Sequence, residues 1–277
     1  MEWQGRRESQ NVEDRRGMSG GMRAGGIGLG GMLLVLAISY FTGQNPADLL
    51  SGLDPGGTAV EQPVGPPATD EATKFMRVVL ADTEETWATV FQQQGQRYEA
   101  PVLVIFSDAT QSACGVGQSA MGPFYCPGDR KVYLDLTFFD ELDRRFGAPG
   151  DFAQAYVVAH EVGHHVQTLM GLSDRMDSAR RGASKAEVNA MSVRQELQAD
   201  CYAGVWGFYS AQKGMVKTDD VEEGLRAAAA IGDDRLQKQT QGRVVPESFT
   251  HGSSAQRVEW FRRGLQSGRV DACNTFQ

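Results

Sequence analysis

The segment 160–165, with the sequence HEVGHH, constrains this chain most, because it fits the pattern HExxH within a stretch of helical periodicity. On a helix, residues four apart project about 40° from each other, so His160 and His164 face the same way. Two imidazoles arranged like this can bind one zinc ion at about 2.0–2.1 Å. Glu161, about 100° further round, can act as general base on a metal-bound water. His165 is turned about 100° from His164 and is not expected to share its metal.

Signals at both ends define the predicted zinc helix. Pro149-Gly150-Asp151 predicts a turn and an N-cap at Asp151, and Gln154 completes a capping-box pattern. Gly171 predicts the end of the helix. The chain has four histidines and three lie in segment 160–165, which disfavours ordinary surface or core histidines. Apolar residues recur at near-helical spacing, namely Phe152, Tyr156, Val162, Val166 and Leu169.

A catalytic zinc ion usually has three protein ligands and one position for water, so a third ligand is required. The longer HExxHxxGxxH pattern is absent, because Gln167 and Met170 occupy its last two fixed positions. His251 or a carboxylate therefore remains. Glu196 is the strongest candidate, and Asp200 on the same helix face could accept the free ring N–H of a zinc-binding histidine.

The helix that carries Glu196 is predicted to begin at a capping box formed by Ser184 and Glu187. A Glu and an Asp four residues apart are commonly only a solvated helix face. Here apolar residues surround the pair, which makes full solvation less compatible with the sequence. These residues are Leu197, Ala199, Cys201, Tyr202, Ala203, Val205 and Trp206.

Three segments together resemble a known family: HEVGHH at 160–165, ELQAD at 196–200 and FTHGSSAQR at 249–257. They are similar to the bacterial putative neutral zinc metallopeptidase family, itself similar to the gluzincin proteases, and the resemblance covers roughly residues 70–277. It implies a zincin-like domain with one catalytic Zn²⁺. The implied ligands are His160, His164 and Glu196, and the implied catalytic base is Glu161.

The resemblance also implies a role for His251, which is the only histidine outside segment 160–165. It would donate a hydrogen bond to the negative charge that develops on the substrate carbonyl oxygen. Arg257 would help it or anchor nearby carboxylates. Two alternatives stay open: His251 could be the third metal ligand instead of Glu196, or a structural histidine near a helix N-cap.

The first 69 residues differ in composition from the rest. Residues 1–23 are polar and lack apolar periodicity, which predicts a disordered cytoplasmic arm. Residues 24–42 contain an uncharged, apolar run just long enough to cross a bilayer once as a transmembrane helix. Residues 43–69, rich in proline and glycine, predict a flexible linker to a metallopeptidase domain at 70–277.

Arginines precede the predicted span and none follows it soon, which predicts a cytoplasmic N-terminus and an extracytoplasmic catalytic domain. A cleaved signal peptide and a buried helix of a cytosolic protein are the alternatives.

Four cysteines in an exported domain predict two disulfides, although four cysteines allow three connectivities. Cys114 with Cys126 would close a small loop around a hairpin, and Cys201 with Cys273 would connect the Glu196 helix to the chain terminus. Free thiols and a zinc-binding cysteine cluster are the alternatives, but no C-x2-C spacing supports the cluster.

The predicted fold is α+β, with a small sheet followed by a helical C-terminal half. A helix from Phe75 to Gly95, a buried strand at 101–106 and a hairpin over 124–135 precede the zinc helix. Further helix is predicted over 218–241, and a last helix runs through Leu265. A strand beside the metal could pair with an extended peptide, or the hairpin could be purely structural.

The predicted function is hydrolysis of a peptide or protein substrate by a zinc-activated water, in a protein held to the membrane by one N-terminal helix. The net charge of -8 disfavours nucleic acid as a partner. One alternative is a zinc-dependent amidase of the cell envelope. Another is a non-catalytic zinc-binding scaffold or chaperone, which Glu161 disfavours because zinc binding alone does not need it.

Overall fold

The computed structural model describes residues 1–16 and 70–276. Within them a small sheet lies in the first half of the domain and helices dominate the C-terminal half, so the predicted α+β arrangement is confirmed. The strands are β1 (Val12–Asp14), β2 (Val102–Phe106), β3 (Ala109–Ser112), β4 (Gly115–Gln118), β5 (Phe124–Cys126) and β6 (Lys131–Asp135). The α-helices are α1 (Glu71–Gln93), α2 (Phe138–Arg144), α3 (Asp151–Leu169), α4 (Leu172–Arg180), α5 (Lys185–Gln212), α6 (Thr218–Ala230), α7 (Asp233–Gln241) and α8 (Ser254–Ser267).

The main sheet has the strand order β1-β2-β6-β5. β1, β2 and β6 are parallel, with Val104 opposite Tyr133, whereas β5 is antiparallel to β6 and forms an edge. The predicted buried strand and the predicted hairpin are both confirmed. β3 and β4 form a separate antiparallel ribbon. The Cys114–Cys126 disulfide connects the turn of this ribbon to β5.

The prediction that residues 1–23 are disordered is wrong for residues 1–16. Val12 is buried in β1 beside β2, and the ring of Trp3 lies 5.2 Å from that of Phe75 on α1. The segment looked disordered because it is polar, but its polar side chains have partners on the domain, as Arg7 has in Glu84 and Glu85.

Three sequence predictions concern residues that the structure does not describe. Residues 17–23 of the arm, the transmembrane helix at 24–42 and the linker at 43–69 all lie outside the described ranges. Among helices in residues 1–16 and 70–276, none is both long enough and apolar enough to cross a membrane.

Helix α3 lies at the centre of the domain and packs against α1, α5 and α6. Its contact with α5 is close at Gly163, where a Cβ atom would lie 2.9 Å from the carbonyl oxygen of Ala199. Such an approach excludes any side chain at this position without movement of the helices. Because Gly163 lies between His160 and His164, the close contact brings the face of α5 with Glu196 to the two histidines.

The start of α3 differs from its prediction. The N-cap is Gly150 rather than Asp151, and no side chain of the helix caps it, so the predicted capping box is wrong. A carboxylate from α6 replaces it, because the backbone N–H of Phe152 donates to Glu223 at 3.0 Å. The end of the helix is as predicted, with Gly171 at a positive φ of 73°.

The segment 218–241 is helical as predicted and forms two helices, α6 and α7. The break is at Gly232, where a Cβ atom would lie 2.3 Å from the backbone nitrogen of Ser254. The first helix, the capping box of Ser184 and Glu187, and the last helix are confirmed.

Where helix α8 crosses α5, a glycine of each helix faces the backbone of the other helix. A Cβ atom on Gly204 would lie 2.1 Å from the carbonyl oxygen of Phe261, so only glycine allows the helices to approach this closely. The disulfide of Cys201 and Cys273 joins α5 to the segment after α8, and both predicted cysteine pairings are present. This crossing brings Arg257 of α8 against Asp200 of α5.

Candidate metal centre

Three side chains from α3 and α5 converge at the centre of the domain. The Nε2 atoms of His160 and His164 lie 3.1 Å and 3.5 Å from one carboxylate oxygen of Glu196. One possible ligand atom from each residue lies within 4.8 Å of the others. Glu196 rather than His251 thus completes the group.

The donor set fits a zinc ion. Two imidazole nitrogens and one carboxylate oxygen match catalytic zinc sites, which keep a fourth position for water. Burial alone would raise the pKa of Glu196, but the two histidines outweigh it and hold the pKa well below its usual value. Glu196 is therefore ionised, as a carboxylate ligand must be.

Asp200 orients the first of the two histidines. It is completely buried, and one of its oxygens lies 2.9 Å from Nδ1 of His160, which leaves Nε2 of the ring facing Glu196. Burial lowers the pKa of His160, but Asp200 and Glu196 outweigh it and raise the pKa to about 10. A metal ion at Nε2 would therefore displace a proton, with Asp200 still bound at Nδ1.

Arg257 compensates the buried charge of Asp200. Its Nε donates to one oxygen of Asp200 at 2.8 Å, and its Nη2 donates to the other at 2.9 Å. Burial raises the pKa of Asp200, but Arg257 and His160 outweigh it, so that the pKa is lowered to about 2. The hydroxyl of Tyr156 donates to the same carboxylate. Arg257 thus anchors a carboxylate, which is one of the two roles that the resemblance implied.

The second histidine is oriented by a residue that the sequence did not identify as functional. Nδ1 of His164 lies 2.9 Å from the side-chain oxygen of Gln167, whose amide nitrogen donates to the backbone oxygen of Gln195 at 2.7 Å. Gln167 lies three residues after His164, so the two contact each other on one helix face. The sequence offered only this spacing as a signal.

His251, which lines the same cavity as the metal group, forms a hydrogen-bonded pair with Asp233. The His251 side chain is half exposed, and its Nδ1 lies 3.1 Å from Oδ1 of the mostly buried Asp233. This hydrogen bond raises the pKa of His251 more than burial lowers it. Asp233 was missed because it matches no motif and lies 18 residues before its partner.

The metal group opens into a cleft of about 550 Å³. Glu161 and His251 both line it, so the predicted base and the predicted hydrogen-bond donor face one space. Phe124 and Tyr125 of the edge strand β5 form part of its wall.

His165 takes no part in the metal group. It is completely buried, its Nε2 lies 2.6 Å from the backbone oxygen of Glu99, and its Nδ1 lies 3.1 Å from the hydroxyl of Tyr125. Burial lowers its pKa, which keeps the ring neutral. The side chain therefore connects α3 to the edge strand β5.

Comparisons with known proteins found one family model and several relatives. Residues 1–276 match the family model described as putative neutral zinc metallopeptidase. The chain is 52% identical over 293 residues to the uncharacterized protein YpfJ of Escherichia coli K12, covering 100% of this chain and 99% of the relative. It is 40% identical over 252 residues to the uncharacterized protein Rv2575 of Mycobacterium tuberculosis H37Rv, covering 82% and 84%. No solved structure matches the chain.

Proposed function

Because the chain belongs to the putative neutral zinc metallopeptidase family, we propose that it hydrolyses peptide bonds with Glu161 as general base. The observation that carries this proposal is the convergence of His160, His164 and Glu196 in a cleft that Glu161 also lines. A scaffold that only bound zinc would need the three ligands but would not need Glu161.

A zinc ion held by His160, His164 and Glu196 would supply a Lewis acid and lower the pKa of a bound water. Glu161 accepts the proton of the attacking water and returns it to the leaving amine nitrogen. His251 donates a hydrogen bond to the negative charge that develops on the carbonyl oxygen. Asp233 holds the ring of His251, as Asp200 holds that of His160.

The edge strand β5 supports a peptide as the substrate. β6 pairs with β5 along one side, and Phe124 and Tyr125 of β5 line the cleft. An extended peptide could add to the side of β5 that pairs with no strand of the described residues, which would hold its scissile carbonyl beside the metal group. An envelope amidase would use the same residues, so both substrate types belong in the test.

We further propose that the metallopeptidase domain acts outside the cytoplasm. The disulfides Cys114–Cys126 and Cys201–Cys273 support this location, because disulfides persist in oxidising compartments and are rare in the cytosol. Attachment to a membrane through residues 24–42 stays a prediction from the sequence.

The test uses the purified full chain, loaded with zinc and incubated with a peptide library and with cell-envelope extract. We expect chelator-sensitive cleavage of peptides. Glu161→Gln should keep one zinc ion per chain and lose hydrolysis, because it removes the base and leaves the ligands. His160→Ala, His164→Ala and Glu196→Ala should lose zinc as well.

Glu222→Gln, at an exposed position of α6, is the matched control and should behave as the unmodified protein. Normal hydrolysis by Glu161→Gln would contradict the role of Glu161. Cleavage that a chelator does not affect would contradict a zinc enzyme. Products from envelope extract but none from the peptide library would favour the amidase.

A further inference from the structure

Residues 1–14 occupy a defined docking surface on the metallopeptidase domain. β1 extends the sheet by pairing with β2, with Val12 opposite Leu103 and Asp14 opposite Ile105. Outside this ladder, the backbone nitrogen of Ser9 donates to the backbone oxygen of Arg77 on α1 at 3.0 Å. Val12 and Ser9 are both buried. Residues 1–14 therefore pack against the domain, and the last three of them form a strand of its main sheet.

The charges of the arm and of its docking surface are complementary. Arg7 donates to Glu85 at 2.8 Å and to Glu84 at 2.9 Å. In the opposite sense, Lys131 of β6 donates to Glu13 of the arm at 2.6 Å. Glu84 also accepts from the side chain of Asn11 at 2.8 Å. Alternating charges on the arm therefore meet opposite charges on the domain, which fixes the register of docking.

The docked arm also reaches the helix that carries HEVGHH. The indole nitrogen of Trp3 donates to Asp151, the first residue of α3, at 3.1 Å, and its ring contacts Phe75 of α1. The contacts therefore run from the sheet edge to the start of the helix on which the metal group is built. Residues 1–14 belong by their contacts to the same compact unit as the domain.

We infer that the arm and the metallopeptidase domain lie on the same side of any membrane that residues 24–42 enter. A backbone ladder between β1 and β2 cannot form across a bilayer, whose hydrocarbon core is about 30 Å thick. Asp14, at the end of the arm, and Asp70, at the start of the domain, therefore lie on one side of such a membrane. This conclusion also holds if the arm docks on a second copy of the chain, because all copies share one topology.

This inference is incompatible with the topology predicted from the sequence, in which the arm is cytoplasmic and the domain is extracytoplasmic. That arrangement relied on the arginines before residue 24 as cytoplasmic anchors. Arg7 is instead used in ion pairs with Glu84 and Glu85, and Arg6 donates to the backbone oxygen of Lys213 at 3.0 Å. With the domain outside the cytoplasm, the arm lies there too.

The topology can be tested on the full chain in intact cells. Gln10→Cys places a thiol at an exposed position of the arm, and Lys238→Cys places one at an exposed position of α7. Each variant is treated with a membrane-impermeant maleimide before and after permeabilisation of the cells. We expect the two thiols to react under the same condition. Reaction of one in intact cells, and of the other only after permeabilisation, would overturn the inference.

A second measurement tests the docking itself. Val12→Asp introduces a carboxylate at a buried position of β1, whereas Gln10→Asp introduces the same group at an exposed position of the arm. We expect Val12→Asp to lower the Tm of the full chain or to prevent its folding, and Gln10→Asp to leave the Tm unchanged. Equal Tm values for the two variants would show that the arm does not contribute to the fold and would overturn the inference.

Discussion

Asp233 contacts His251 through both its carboxylate oxygens. Oδ1 lies 3.1 Å from Nδ1 of the imidazole, and Oδ2 accepts the backbone N–H of the same residue at 2.6 Å. The same Oδ2 also accepts the backbone N–H groups of Thr250 and Gly252. The loop and the ring are therefore fixed together, and Nε2 is the ring nitrogen left for a substrate in the cleft.

The first prediction concerns the hydrogen bond that we propose His251 donates to the reacting carbonyl oxygen. We expect His251→Ala to lower kcat by about 100-fold or more, as loss of a donor to a developing oxyanion does. Zinc content and KM should change little, because His251 lies outside the group formed by His160, His164 and Glu196. Steady-state kinetics with metal analysis decides this. Loss of zinc would instead make His251 a ligand, and an unchanged kcat would make it structural.

The second prediction concerns pH. When Nδ1–H of His251 donates to Asp233, Nε2 can donate to substrate only if the ring is protonated. Asp233 raises the pKa of His251, so activity should persist above the ordinary pKa of about 6.5 and fall as pH rises through the raised value. Asp233→Asn removes the negative charge, so this alkaline limb should move to lower pH.

A profile of kcat against pH for Asp233→Asn tests this shift. Asp177→Asn, at an exposed position of α4, is the control for loss of one negative charge. An alkaline limb at the same pH in both variants would contradict the role of Asp233.

The third prediction concerns Asp200. Asp200→Asn leaves the guanidinium of Arg257 buried without an opposite charge, which costs on the order of 3–5 kcal/mol of unfolding free energy. It also weakens the orientation of His160, so zinc affinity should fall about 10–100-fold. Thermal unfolding and competition with a zinc chelator measure the two effects. Tyr156→Phe, which removes one hydrogen bond to Asp200 but no charge, should have a smaller effect on both.

The sequence predicted the residues of the metal group because their chemistry is local. His160, Glu161 and His164 occupy one helical turn, and Glu196 and Asp200 occupy one turn of a second helix. Periodicity and spacing are enough to identify such pairs. The contact between the two helices was not visible in this way, since it depends on the absence of a side chain at Gly163.

What the sequence did not predict depends on contacts between distant segments. Asp233 approaches His251 only because the chain turns at Gly232, and β1 approaches β2 although residues 15–101 separate them. Hydrophobic periodicity cannot detect a three-residue strand whose neighbours are polar. The prediction for the start of α3 was wrong for the same reason, because its capping carboxylate comes from Glu223 in a distant segment.

His165 supplies the last prediction, because it holds the edge strand of the cleft without contacting the metal group. Its Nε2–H donates to the backbone oxygen of Glu99, so its Nδ1 accepts the hydroxyl hydrogen of Tyr125. Both groups lose this hydrogen bond in His165→Ala, and a typical intramolecular hydrogen bond contributes about 0.5–1.5 kcal/mol. We expect a lower Tm and a higher KM for peptides, with zinc content unchanged, because Tyr125 lines the cleft from β5.

Two variants separate this positioning role of His165 from a role in metal binding. Tyr125→Phe removes only the hydroxyl, so it should reproduce part of the KM increase with a smaller loss of Tm. His165→Gln keeps a donor and an acceptor on the side chain and should recover part of both losses. If folded His165→Ala lost zinc while Tyr125→Phe behaved normally, His165 would support the ligands rather than β5. A normal KM and Tm in His165→Ala would show that neither peptide binding nor thermal stability depends on the contacts of His165 with Glu99 and Tyr125.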